Sequence, residues 1–143
     1  MSEVPAALLI CGGGIFMVLG FLHALYTYLD IRNPRRIVPD DPRVTAAMGS
    51  SNVRLSRGGT TMWKAWVGFN FSHSLGAILF GALAIAGGAT LQTLLLPAWT
   101  LLLFAMIAAA YLVLGVLYWF RIPIAGIAIA TACFLLAWVL YAR

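Results

Sequence analysis

Four uninterrupted apolar runs, each long enough to cross a bilayer as a helix, constrain the fold of this chain more than any other feature. They lie at about 5–29, 65–87, 98–120 and 122–142. A helix needs about 20 residues to span the hydrocarbon core, and lipid satisfies no backbone polar group, so runs of this kind must be helical. The sequence therefore predicts an all-α polytopic membrane protein, with a single domain over 1–143 built as a four-transmembrane-helix antiparallel bundle.

The composition excludes an ordinary soluble domain. Hydrophobic residues make up 63% of the chain and charged residues 9%, whereas a soluble domain carries about 25% charged residues. The carboxylates all lie outside the predicted spans, at Glu3, Asp30, Asp40 and Asp41. The cysteines, Cys11 and Cys133, lie in separate apolar runs without a CxxC pattern. The sequence therefore predicts no metal site and no disulfide framework, and it favours a role other than catalysis.

Positive charge is concentrated in the long loop 30–64. Seven of the nine cations lie there, at Arg32, Arg35, Arg36, Arg43, Arg54, Arg57 and Lys64. Cytoplasmic loops carry an excess of Lys and Arg, so the loop is predicted to be cytoplasmic, with both termini on the outer, periplasmic side of an inner (plasma) membrane. A basic loop beside apolar spans indicates anionic lipid headgroups as partners, in addition to the lipid bilayer itself, rather than nucleic acid.

The same loop contains one signal for local structure. Asp41 followed by Pro42 is a good helix start, because Asp is a preferred N-cap and Pro is tolerated at the first helical position. A short surface helix is therefore predicted from Pro42 to about Met48.

The stretch GFNFSHSLG, at 68–76, places four hydrogen-bonding side chains inside the second apolar run. At 100° per residue, Trp66, Asn70 and His73 share one face of the predicted helix. A second stripe, made of Gly68, Ser72 and Gly76, lies beside that face. Its small residues at a spacing of four predict a surface for close packing against another helix.

The two histidines of the chain are predicted to lie at similar depths. His23 is seven residues from the basic loop, about 10 Å, and His73 is nine residues from it, about 14 Å. Tyr111 comes out at about 15 Å from Arg121 by the same count. The sequence therefore predicts a ligand-binding pocket in the inner leaflet, closed on the loop side by Asp30. Its predicted residues are His23, Asn70, His73, Tyr111, Trp66 and Asp30.

Several readings of this polar block stay open. Polar groups inside a membrane indicate function by default, but Asn, Ser and His also hold helices together, and Ser72 and Ser74 can bond their own helix backbone. The sequence predicts binding of an apolar or amphipathic ligand, or docking on a larger membrane assembly with a protein partner in the membrane. The alternatives are a haem b protein with His23 and His73 as ligands, although no cofactor is required, and a His-dependent enzyme acting on a lipid or quinone.

The run TTMWKAWVGFNFSHSLGAILFG, from Thr60 to Gly81, resembles the signature block of a family of small uncharacterised bacterial integral membrane proteins with four helices. The resemblance is carried by Met62–Trp66, Gly68–Asn70 and Ser72–Gly76, and His23 also fits it. It implies a bacterial membrane protein of four helices and draws attention to the polar block, but it implies no reaction.

Overall fold

The computed structural model describes residues 3–91 and 93–143, and this part of the chain is all-α. Five α-helices follow one another in the order α1 Glu3–Arg32, α2 Pro42–Ser50, α3 Met62–Thr90, α4 Ala98–Tyr118 and α5 Arg121–Tyr141. Four of them, all except α2, are long and apolar enough to cross a membrane. The predicted fold class is confirmed, and the chain is a multi-pass membrane protein.

The helix ends differ from the predicted ones by a few residues, because the predicted limits followed hydropathy alone. Helix α1 runs on to Arg32, and α3 begins at Met62 and ends at Thr90. Both helices therefore continue past the apolar run into polar sequence. The turn between α4 and α5 is as short as expected, since α4 ends at Tyr118 and α5 begins at Arg121.

The chain folds into two compact units. The first contains Met1–Leu19 and Ala77–Arg143, and so combines the beginning of α1 and the end of α3 with α4 and α5. Its core is a cluster of aromatic rings from all four helices, with centroids 4.8–6.3 Å apart. The rings belong to Phe16, Phe80, Phe104, Tyr111 and Phe134. Edge-to-face and stacked ring pairs of this kind add to the stabilisation from burial itself.

Glycines bring α1 and α3 close together inside the first unit. A Cβ added at Gly81 would lie 2.5 Å from the carbonyl oxygen of Gly13, and one at Gly88 would lie 2.8 Å from that of Ala6. The pairs run in opposite directions along the two helices, which makes the packing antiparallel. Gly12 serves the same purpose beside α5, where an added Cβ would lie 2.7 Å from the ring of Phe134. Small residues of this kind allow membrane helices to approach each other.

The second unit, Gly20–Gly76, holds the end of α1, the basic loop and the start of α3. The predicted surface helix in the loop is confirmed as α2, with Pro42 in its first turn and Asp41 as its N-cap. The Asp41 carboxylate accepts hydrogen bonds from the guanidinium and the backbone N–H of Arg43, and these hold the pKa of that carboxyl below its ordinary value of 3.8. The loop returns to α3 through an antiparallel bridge between Asn52 and Thr61.

Candidate functional site

A hydrogen bond between His23 and Asn70 joins α1 to α3 in the second unit. His23 Nε2 lies 2.8 Å from Asn70 Oδ1, and Asn70 Nδ2 donates to the backbone carbonyl of Trp66 at 2.7 Å. Because that carbonyl can only accept, the amide nitrogen must face Trp66 and the amide oxygen must face His23. His23 therefore donates through Nε2, and in the neutral ring its Nδ1 is an acceptor.

His73 lies against His23 in the same unit. The centroids of the two imidazole rings are 5.4 Å apart, with an angle of 71° between their planes. The His73 ring also stacks on Phe69, at 6.3 Å and 16°. Both histidines are partly exposed, whereas Asn70 is buried. The depth count predicted that His23 and His73 would lie together, and the shared helix face added Asn70; the structure places these three residues together.

The hydroxyl groups around this cluster are bonded to their own helices. Ser74 donates to the carbonyl of Asn70 at 2.8 Å, and Ser72 donates to that of Phe69 at 2.9 Å. Thr27, which is fully buried, donates to the carbonyl of His23 at 2.9 Å. Bonds of this type satisfy a hydroxyl group without a partner on another helix. These residues serve the local structure of α1 and α3, as the sequence suggested for the two serines.

Asp30 has a different position from the one that the sequence suggested. Its side chain is fully buried, and its two oxygens accept the backbone N–H groups of Arg35, Arg36 and Ile37 at 2.9–3.3 Å. The Arg36 guanidinium adds a contact at 3.4 Å. The carboxylate therefore holds the loop that follows α1, and a role for Asp30 in closing a ligand pocket stays a prediction.

Trp66 and Tyr111 are the other two predicted ligand-binding residues, and the structure shows which groups each of them contacts. Trp66 provides the carbonyl that orients Asn70, and its ring stacks on Trp63 with centroids 5.0 Å apart. Tyr111 belongs to the first unit, where its ring packs edge-on against Phe16 at 5.3 Å. A role for Trp66 or Tyr111 in binding a ligand stays a prediction.

The predicted packing stripe consists of Gly68, Ser72 and Gly76. At Gly68 and Ser72 the described part of the chain provides no closely packed neighbouring helix. Gly68 and Ser72 are exposed, and a Cβ added at Gly68 would meet nothing within 4 Å. Close helix contact occurs instead at Gly81 and Gly88, further along α3. The spacing rule identified small residues on α3, but it could not identify which face of the helix meets a neighbour.

The haem alternative does not fit this arrangement of side chains. The His23 and His73 rings are in edge-to-face contact, which leaves no gap between them for a macrocycle. The nitrogen Nε2 of His23 is also engaged with Asn70. Two ligands on opposite sides of one iron would require the rings to separate. Among the residues that the structure describes, no group of three or more His, Cys, Asp or Glu side chains could hold a metal ion.

No protein-family model, curated protein or solved structure matches this chain. The resemblance of the Thr60–Gly81 block to a bacterial membrane family therefore stays a prediction.

The chemistry of the site follows from its residues alone. It offers one imidazole fixed by an amide, a second imidazole in contact with the first, and apolar surface around both. Such a set can donate and accept hydrogen bonds at neutral charge.

Proposed function

We propose that this membrane protein binds an amphipathic molecule whose polar head contacts His73 and His23. The observation that carries the proposal is the contact between two partly exposed imidazoles, one of them fixed by Asn70, within membrane-spanning helices. Ionisable side chains are costly inside a membrane, and where they occur they generally mark a functional site. Their partial exposure leaves them accessible to a molecule arriving from the bilayer.

The residues of the cluster favour a neutral head group. Neutral imidazoles and an amide suit a carbonyl or a hydroxyl, which exchange single hydrogen bonds with them. The apolar part of the ligand would lie against the helix surface, where Phe69 stacks on His73. This combination suits a quinone-like or lipid-like molecule with an uncharged polar end.

The competing explanation for polar side chains at this site is that they hold α1 and α3 together. This explanation applies differently to His23, Asn70 and His73. The hydrogen bond from His23 to Asn70 holds α1 against α3, and such bonds contribute about 0.6 kcal/mol each on average in membranes. His73 lies beside this bond and meets His23 by ring contact. Because His23 and Asn70 make the hydrogen bond between the helices, a substitution at His73 leaves that bond in place, and His73 is the residue at which we test binding separately from it.

The test compares His73→Phe with Ser72→Ala. Phenylalanine keeps a planar ring against His23 and Phe69 and removes both nitrogens, while Ser72→Ala removes one exposed hydroxyl group at the next position of α3. Each protein is extracted in a mild detergent, and bound small molecules are identified by native mass spectrometry. Thermal unfolding is recorded on the same samples, with an absorption spectrum to detect any haem.

We expect the wild-type protein and Ser72→Ala to retain the same ligand, and His73→Phe to lose it while the hydrogen bond between His23 and Asn70 still joins α1 to α3. Equal retention by all three proteins would overturn the proposal. A His73→Phe variant that unfolds at a lower temperature while still retaining the ligand would assign the residue to helix packing.

We also propose that the protein lies in a bacterial plasma membrane with loop 30–64 in the cytoplasm and both termini outside. The concentration of seven of the nine cations in that loop supports this orientation. The bacterial origin rests on the resemblance of the Thr60–Gly81 block alone.

A further inference from the structure

A cleft of ≈ 960 Å³ opens in the second unit, between the end of α1, the loop, α2 and the start of α3. Ile31 at the end of α1 and Trp63 at the start of α3 form part of its walls. Ile31 lies eight residues beyond His23, about 12 Å along the helix axis, and no residue of the histidine cluster lines the cleft. The cleft is therefore a separate feature, located where α1 and α3 leave their apolar runs.

The lining combines guanidinium groups with apolar walls. Its charged residues are Arg35, Arg36 and Asp40. Its apolar residues include Ile31, Val38, Trp63, Pro34, Pro39 and Pro42. A guanidinium group is planar and matches the geometry of phosphate oxygens, and tryptophan favours the boundary between acyl chains and headgroups. The lining thus suits a molecule that joins a phosphate to an apolar body.

Buried Asp30 holds the arginine segment of the cleft in place. It accepts the backbone N–H groups of Arg35 at 3.1 Å, Arg36 at 3.2 Å and Ile37 at 2.9 Å. The side chains of Arg35 and Arg36 therefore project from a backbone that is already fixed. A binding site that is ordered in advance loses less conformational entropy when its ligand arrives.

The two arginines differ in how much of their charge is available. Within residues 3–91 and 93–143 the ion pairs are Arg36–Asp30 and Arg43–Asp41, and Arg35 takes part in neither. Both arginines are exposed and line the cleft, but Arg36 shares its charge with a buried carboxylate and Arg35 does not. Arg35 is thus the residue best placed to receive an anion.

We propose that this cleft binds a phosphate-bearing amphipathic molecule at the membrane surface. Arg35 and Arg36 contact the phosphate, and Trp63 and Ile31 contact the apolar part. The same chemistry is present in a phospholipid headgroup and in a soluble organic phosphate. The inference rests on the cleft alone and is independent of the function proposed for the histidine cluster.

The test measures binding to the full-length protein in detergent by native mass spectrometry. Three probes are used: phosphatidylglycerol, diacylglycerol with the same acyl chains, and glycerol phosphate. The variants are Arg35→Gln and Arg35→Lys. The matched control is Arg54→Gln, which removes the same charge from an exposed loop arginine that does not line the cleft.

We expect Arg35→Gln to weaken phosphatidylglycerol binding about tenfold or more, as for one hydrogen bond to a charged group. Arg54→Gln should stay within about twofold of the wild type, the usual range for an isolated surface substitution. Arg35→Lys keeps the charge but loses the planar donor pair, so its affinity should fall between those of the wild type and Arg35→Gln. Glutamine retains the backbone N–H that Asp30 accepts, so the unfolding temperature should not change.

Two results would overturn the proposal. An equal loss of affinity in Arg54→Gln and Arg35→Gln would mean that the loop attracts anions by diffuse charge only. Equal binding of diacylglycerol and phosphatidylglycerol would mean that the phosphate is not recognised. Binding of glycerol phosphate as tight as that of phosphatidylglycerol would confirm the phosphate site and assign it to a soluble ligand, whereas markedly weaker binding would assign it to lipid.

Discussion

Replacing Asp30 with Asn should release the chain segment that follows α1. One carboxylate oxygen of Asp30 accepts the N–H of Arg35 at 3.1 Å, and the other accepts the N–H of Ile37 at 2.9 Å. An amide has a single oxygen, so whichever way Asn is oriented its NH₂ group must face one of these N–H donors. Two donors then point at each other in a site with no exposed side-chain surface.

The size of the effect follows from the bonds that are lost. A hydrogen bond to a charged group contributes about 1.5–3 kcal/mol, and a buried donor left without a partner costs about 1–3 kcal/mol. Because both penalties arise at the same atom they overlap, and we take about 3 kcal/mol for the local opening of this segment. That free energy corresponds to about a 100-fold increase in the population of the open state.

The assay is amide hydrogen exchange in detergent, which reports local opening residue by residue. The amides of Arg35, Arg36 and Ile37 should exchange about 100-fold faster in Asp30→Asn than in the wild type. Asp40→Asn provides the control, because it removes an exposed carboxylate from the same loop. If exchange at the three amides is the same in Asp30→Asn and in the wild type, the buried carboxylate does not hold the loop in place.

Two further predictions test the helix packing and the orientation in the membrane. Gly81→Ala places a methyl group 2.5 Å from a backbone carbonyl and should lower the free energy of unfolding by about 1–3 kcal/mol. The control is Gly68→Ala, where nothing lies within 4 Å, and this variant should be neutral or stabilising by up to about 1 kcal/mol. Equal stabilities of the two variants in a denaturant titration would contradict the packing of α1 on α3. The orientation is tested with Ser50→Cys in a background of Cys11→Ala and Cys133→Ala. A membrane-impermeant maleimide should fail to label this cysteine in intact cells and should label it after permeabilisation. Labelling of intact cells would place the loop outside.

Much of the candidate site could be predicted from one-dimensional distances. His23 and His73 were assigned to similar depths because helix rise is constant, and the structure places their rings in contact. The role of Asp30 could not be predicted in this way. A carboxylate at the end of an apolar run ordinarily faces water, and only the turn of the chain at Asn33 and Pro34 brings three N–H groups back to it.

The sequence by itself determined the class of protein and the number of spans. Long apolar runs can satisfy their backbone polar groups in lipid only as helices, and four such helices are present among the described residues. The start of α2 was equally local, since Asp41 and Pro42 act on their own first turn. These properties depend on neighbouring residues along the chain, which is why a single sequence suffices to predict them.

Only the tertiary structure decided which faces meet. Gly68 and Gly81 lie on the same helix and look alike in sequence, yet an added Cβ meets open space at the first and a backbone carbonyl at the second. Likewise, nothing local shows that Arg35 would line a cleft with Trp63. Hydropathy is similar all around a membrane helix, since lipid and protein interior are both apolar, so the side that contacts a neighbour is set by the shape of that neighbour.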